Sequence, residues 1–227
     1  MDARQRTTVS VRQLGEEREP VVVIDNFSGM PGQLLETARE ARFAPADAFY
    51  PGVRAPLDPS YLDRQRGLMI EVMRRVFGFR NEMHVLNASY SIVSSPPDNL
   101  EPPQCIPHYD DASGNIIAVM HYLQGRETGG TAFYRHNRTG FECVTPEREA
   151  AFHSAKTRDH TEFGAMTGYH YGDSEAYTMI GEVEAEPDRL VMYRGRLLHS
   201  GVIPGDRPLS DDPETGRLTI NMFLSAS

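Results

Sequence analysis

Residues 217–224 read Arg-Leu-Thr-Ile-Asn-Met-Phe-Leu, so that Leu218, Ile220, Met222 and Leu224 share one face, while Arg217, Thr219 and Asn221 share the other with Phe223. A period of two marks a half-buried strand, because successive side chains leave a pleated backbone on opposite sides. The apolar face predicts packing against helices. The polar face then looks into the interior, where a guanidinium is costly to bury unless an anion meets it. Arg217 therefore has two readings. It grips a bound dicarboxylate through paired charged bonds, with the Thr219 hydroxyl adding another, or it pairs with an internal acid or sits at an exposed strand end.

Working backwards, residues 84–94, 115–123, 131–134, 177–183, 189–193 and 196–203 also favour strands, most of them separated by turn formers. Ahead of them, residues 20–27 (PVVVIDNF) read as a buried strand, and 31–42 as a helix that begins on Pro31 and repeats Leu34, Leu35, Ala38 and Ala41 at helical spacing. Residues 60–77 read as a second amphipathic helix. Between the two, 49–56 (FYPGVRAP) is too dense in Pro and Gly for regular structure and is expected to be a loop. Its two aromatics and Arg54 either line a pocket or anchor a connector. The proline-rich approach over 94–107 could form a mobile wall of a site. Helices followed by many strands, without β-α alternation, predict a mainly β, α+β chain: an antiparallel barrel or sandwich with helices outside it. We expect one domain, with an N-terminal strand and supporting helices in 1–82 and the β core in 83–227.

The chain has 227 residues, 39% of them hydrophobic, and a formal net charge of −9. That balance argues against a nucleic-acid binder, which needs clustered Lys and Arg for phosphates. No apolar run has the length of a membrane span, and the polar first 20 residues lack a signal-peptide core, so a cytoplasmic protein is expected. Cys105 and Cys143 suit reduced thiols better than a disulfide framework. Cys105, three residues before His108, is conceivable as a soft metal ligand but better read as a buried apolar thiol.

Chemistry gathers at Ile106-Pro107-His108-Tyr109-Asp110. In extended backbone, positions i and i+2 face the same way, so His108 and Asp110 could bind one metal ion, with His199 of Leu198-His199-Ser200-Gly201 as the third ligand. Two His and one carboxylate on one side of an ion leave positions open for oxygen chemistry at iron(II). The same spacing recurs in His160-Thr161-Glu162, but residues 147–162 read as helix. There i and i+2 point about 200° apart and cannot share an ion.

In order, His108-x-Asp110, an apolar strand, Gly129-Gly130-Thr131-Ala132-Phe133, Leu198-His199-Ser200-Gly201 and Arg217-x-Thr219 resemble the iron(II)- and 2-oxoglutarate-dependent oxygenases, especially their prolyl-4-hydroxylase-like branch. The resemblance spans roughly 83–224. It implies a double-stranded β-helix (jelly roll) with the N-terminal helices packed on one sheet, and Fe(II) on His108, Asp110 and His199. It also implies 2-oxoglutarate as cosubstrate, its distal carboxylate on Arg217 and Thr219 with Tyr90 hydrogen-bonded to it, and O2 as oxidant. Relatives that halogenate lack the carboxylate ligand, so Asp110 favours hydroxylation, with desaturation or ring closure left open. The spacing departs from the branch at residues 204–216, an apparent insertion that places Arg207 as a rival clamp.

The expected substrate is a small molecule, an amino acid or specialised metabolite, with a peptidyl side chain as the second possibility. A non-catalytic jelly-roll binding protein or a cupin-type metalloenzyme is the competing class. Cupins often take three or four His from their barrel, and the separate Arg-x-Thr strand argues for the oxygenase. His121 and Tyr122 are candidate cavity residues, with Arg135 and His136 similar. Arg194 and Arg196 either meet an anionic substrate or bracket a turn.

Overall fold

The computed structural model describes residues 6–46 and 49–226. The elements in chain order are β1 (Thr8–Leu14), β2 (Glu19–Asp25), α1 (Pro31–Glu40), β3 (Ala44–Pro45), β4 (Gly52–Pro56), α2 (Arg66–Arg75), β5 (Met83–Val93), β6 (Ile116–Tyr122), β7 (Gly130–His136), α3 (Pro146–Phe163), β8 (Tyr177–Glu184), β9 (Arg189–Arg194), β10 (His199–Val202) and β11 (Arg217–Ala226). The strands form a large antiparallel sheet in the order β1-β2-β9-β6-β11-β5-β4-β3 and a small one in the order β10-β7-β8. This is the expected jelly-roll sandwich, with every read strand of the core present.

β11 sits at the centre of the large sheet, between β5 and β6. Its apolar face, Leu218, Ile220, Met222 and Leu224, packs in one buried cluster with Leu34 and Ala38 of α1 and Met69, Val72 and Met73 of α2. The helices thus cover the outer face of that sheet, as the alternation requires. A second cluster fills the space between the sheets, with Tyr122, Phe133, Val191, Tyr193 and Leu197 among its members. A third, containing Tyr134, Phe152 and Tyr177, seats α3 against the far side of the small sheet. No helix among the described residues is long and apolar enough to cross a membrane.

Three local expectations need correction. Residues 52–56 are not a loop: β4 pairs with β5 from Gly52 opposite Val93 to Pro56 opposite Ser89. The glycine that suggested irregularity is what lets the strands approach, since a Cβ on Gly52 would lie 2.0 Å from the Ile92 carbonyl oxygen. The helix expected over 60–77 is split into a 3-10 turn, Pro59–Leu62, and α2. The turn is held by the Asp58 side chain, which accepts from the Ser60 N–H, and Gln65 then donates its side-chain amide to the Phe27 carbonyl. β1 was not expected. It is an edge strand with Val9 and Val11 half exposed, and one-sided pairing with β2 suffices to hold it.

Candidate metal centre

The 106–110 segment joins the small sheet through one residue pair. His108 N donates to His199 O and His199 N to His108 O, both at 2.9 Å, and Asp110 N donates to Gly195 O at 2.7 Å. This pairing holds the segment extended, so His108 and Asp110 face one way and Tyr109 the other. The Tyr109 hydroxyl donates to Glu149 at 2.8 Å and lies 3.1 Å from His153 Nε2, both on α3. His108, Asp110 and His199 each offer a ligand atom within 4.8 Å of the other two. Asp110 carboxylate oxygens stand 3.9 Å from His108 Nε2 and 3.6 Å from His199 Nε2.

The donors suit a divalent ion. His199 Nδ1 donates to the Leu197 carbonyl at 2.8 Å, which fixes the ring and leaves Nε2 for the metal, the usual outer support of a ligating imidazole. Burial pushes His199 down to about 4 and Asp110 up to about 6, the latter opposed by His108 and by the Arg54 guanidinium. His108 is also lowered by burial and by the neighbouring His199, although half its side chain is exposed, which places it at the mouth. Near pH 7 the site therefore holds two neutral imidazoles and a carboxylate, the ligating forms.

Arg217 and Thr219 lie on the interior face of β11. Arg217 is 6% exposed and has no acidic partner among the described residues; its Nε and Nη2 donate to the Thr128 and Gly130 carbonyls at 2.9 and 2.8 Å. Tyr193 links this clamp to the triad: its ring is 4.7 Å from that of His199, and both Asp110 and Arg217 act on its hydroxyl. Arg207 is exposed and bonded weakly to the Glu127 and Thr215 carbonyls at 3.3 Å, outside that interior.

Tyr90 is not brought to the clamp. It pairs with Ile220 and is buried in the helix-side cluster, so it faces away from Thr219. Its neighbour Ser91 occupies the interior position opposite Thr219. The period of two permits only one of these neighbours inside, and spacing alone did not show which. His121 is likewise on the helix side, with Nδ1 2.5 Å from the Tyr61 hydroxyl and Nε2 2.9 Å from Asp188. Tyr122 does face the interior and bonds Thr131. Arg135 pairs with Glu142 and Glu16, His136 with Asp159, and Arg196 with Glu19, while Arg194 donates to the Gly114 and Phe77 carbonyls. These groups hold the fold together and do not line the site. Cys105 is buried and donates to the Glu101 carbonyl, outside the triad. His160 and Glu162 lie on α3 as expected, and Glu162 pairs with Arg138.

No curated protein matches the sequence. Among solved structures, the fold is similar to that of SnoN, described as a non-heme alpha ketoglutarate dependent epimerase from nogalamycin biosynthesis, with a TM-score of 0.52 and 12% identity over 92% of this chain and 80% of that chain. It is similar also to HygX from Streptomyces hygroscopicus with nickel and 2-oxoglutarate bound, with a TM-score of 0.51 and 12% identity over 91% of this chain and 83% of that one. The likeness is one of fold, the double-stranded β-helix. The model of a family of unknown function (DUF6445) matches residues 5–224, and the chain belongs to that family.

Proposed function

We propose that this protein is an iron(II)- and 2-oxoglutarate-dependent oxygenase that hydroxylates a C–H bond of a small molecule, such as an amino acid or a specialised metabolite. The observation that carries the reading is the placement in one interior of the triad and a buried arginine that has no acidic partner among the described residues, with Tyr193 between them. The Thr128 and Gly130 carbonyls satisfy part of the Arg217 guanidinium but not its charge, and a bound carboxylate would supply the anion it lacks. The solved fold of HygX with nickel and 2-oxoglutarate bound supports the same assignment. The placement within the prolyl-4-hydroxylase-like branch rests on motif order alone.

Iron(II) bound here would supply activation of O2 coupled to conversion of 2-oxoglutarate to succinate. His108, Asp110 and His199 would hold the ion. Arg217 and Thr219 would fix the distal carboxylate and so the direction of the cosubstrate. Phe133 and Tyr193, packed at 5.1 Å between the sheets, keep water from the floor of the site.

Anaerobic addition of 2-oxoglutarate to the iron(II)-loaded protein tests the reading. A visible charge-transfer band of an iron(II)–2-oxo acid chelate is expected. Its absence at saturating ligand, with iron bound, would contradict the proposal.

A further inference from the structure

The interior face carries a second arginine that the clamp does not use. Arg54 Nε is buried without a hydrogen-bond partner, and Arg54 makes no ion pair among the described residues. Its guanidinium lies over the Tyr50 ring, Cζ 4.3 Å from the centroid. Stacking occupies one face of the planar group and leaves its N–H edge free for an anion. The Tyr50 hydroxyl is also buried and among the polar atoms without a hydrogen-bond partner, with the Ser91 and Thr219 hydroxyls beside it.

Register explains why these groups meet. Arg54 pairs with Ser91 across β4 and β5, and Ser91 pairs with Thr219 across β5 and β11, so the three form one transverse row on the interior face. Arg217 and Arg54 both oppose the upward push of burial on Tyr50. Tyr50 thus lies beside both guanidiniums, with Arg54 stacked on its ring. Two buried donors without acceptors, beside a buried arginine without an acid, describe an incomplete anion site.

We infer that Tyr50 and Arg54 are dicarboxylate-binding residues: the Tyr50 hydroxyl donates to the carboxylate held by Arg217 and Thr219, and Arg54, stacked on the Tyr50 ring, turns its free N–H edge to the same carboxylate. The inference rests on the reading of this interior as a 2-oxoglutarate site. It makes β4 part of the binding machinery and so extends the site into the N-terminal third of the chain.

Calorimetric titration of the nickel-loaded full chain with 2-oxoglutarate, and with 2-oxovalerate, which lacks the distal carboxylate, tests this. Arg54→Gln is expected to weaken 2-oxoglutarate by about tenfold or more, as loss of a charged bond implies, and to leave 2-oxovalerate binding unchanged, with Arg54→Lys retaining part of the affinity. Tyr50→Phe and Arg217→Ala are expected to weaken 2-oxoglutarate only. If Arg217→Ala loses affinity while Arg54→Gln binds 2-oxoglutarate like wild type, this inference is overturned and the function stands. If wild type binds neither ligand, or Arg217→Ala binds like wild type, the function falls and the inference with it. Melting midpoints close to that of wild type show that each variant is folded.

Discussion

His108 and His199 exchange both backbone hydrogen bonds, at 2.9 Å each, so two metal-binding candidates separated by 91 residues in sequence are one cross-strand pair in space. Their rings sit 4.4 Å apart between centroids. The triad geometry is therefore set by backbone pairing rather than by the ion, and the site is expected to be largely preformed.

Proton competition should govern metal affinity. Burial pushes Asp110 up to about 6 and His199 down to about 4. Above pH 6 the ion meets ligands that carry no proton. As pH falls below 6 it must displace the Asp110 proton, so affinity should fall by about tenfold per pH unit, with a steeper fall once His199 protonates. Nickel or zinc dissociation constants measured between pH 5 and 8 against a chromogenic chelator check this. A decline already under way at pH 7 would mean that the imidazoles titrate at their ordinary value.

Tyr109 should act on the ion without touching it. Its hydroxyl ties the ligand segment to Glu149 and His153 on α3. A bond of this kind is worth about 0.5–1.5 kcal/mol, so Tyr109→Phe should weaken metal binding by about two- to tenfold with unchanged stoichiometry. Equal affinity in the variant would show that the backbone bonds to His199 and Gly195 suffice to position Asp110.

Gly52→Ala should harm both stability and the site. The new Cβ would fall 2.0 Å from the Ile92 carbonyl oxygen, forcing β4 from β5. Overpacking of this kind costs about 1–3 kcal/mol, and for a chain of this size each kcal/mol lowers Tm by about 2–4 °C. Thermal unfolding measures the loss. A variant as stable as wild type would mean that the strand end can shift at no cost.

Much of this was legible in the sequence because period and spacing report it. The alternation of Leu218, Ile220, Met222 and Leu224 located the helix layer, and helical composition removed His160 and Glu162 from consideration. The triad needed only extended backbone at 106–110 and a third histidine. What spacing could not supply was facing. Tyr90 and Ser91 are equivalent by position, as are His121 and Tyr122, and register with β11 decides which looks inward. Arg54 and its aromatic neighbours could be read as pocket lining or as a connector, and the choice depends on β4 pairing with β5, a contact between residues about 40 apart that no local pattern encodes. β1 was hidden for a different reason: Val9 and Val11 alternate with polar residues for only two steps, in an edge strand exposed on both faces.

The most direct test of the account is succinate formation by the anaerobically iron-loaded protein, given 2-oxoglutarate and then oxygen, beside an Asp110→Ala control and with candidate amino acids and metabolites as substrates. Succinate from the wild type and none from Asp110→Ala is the predicted result. Equal succinate from the two proteins would contradict the assignment of the chemistry to His108, Asp110 and His199.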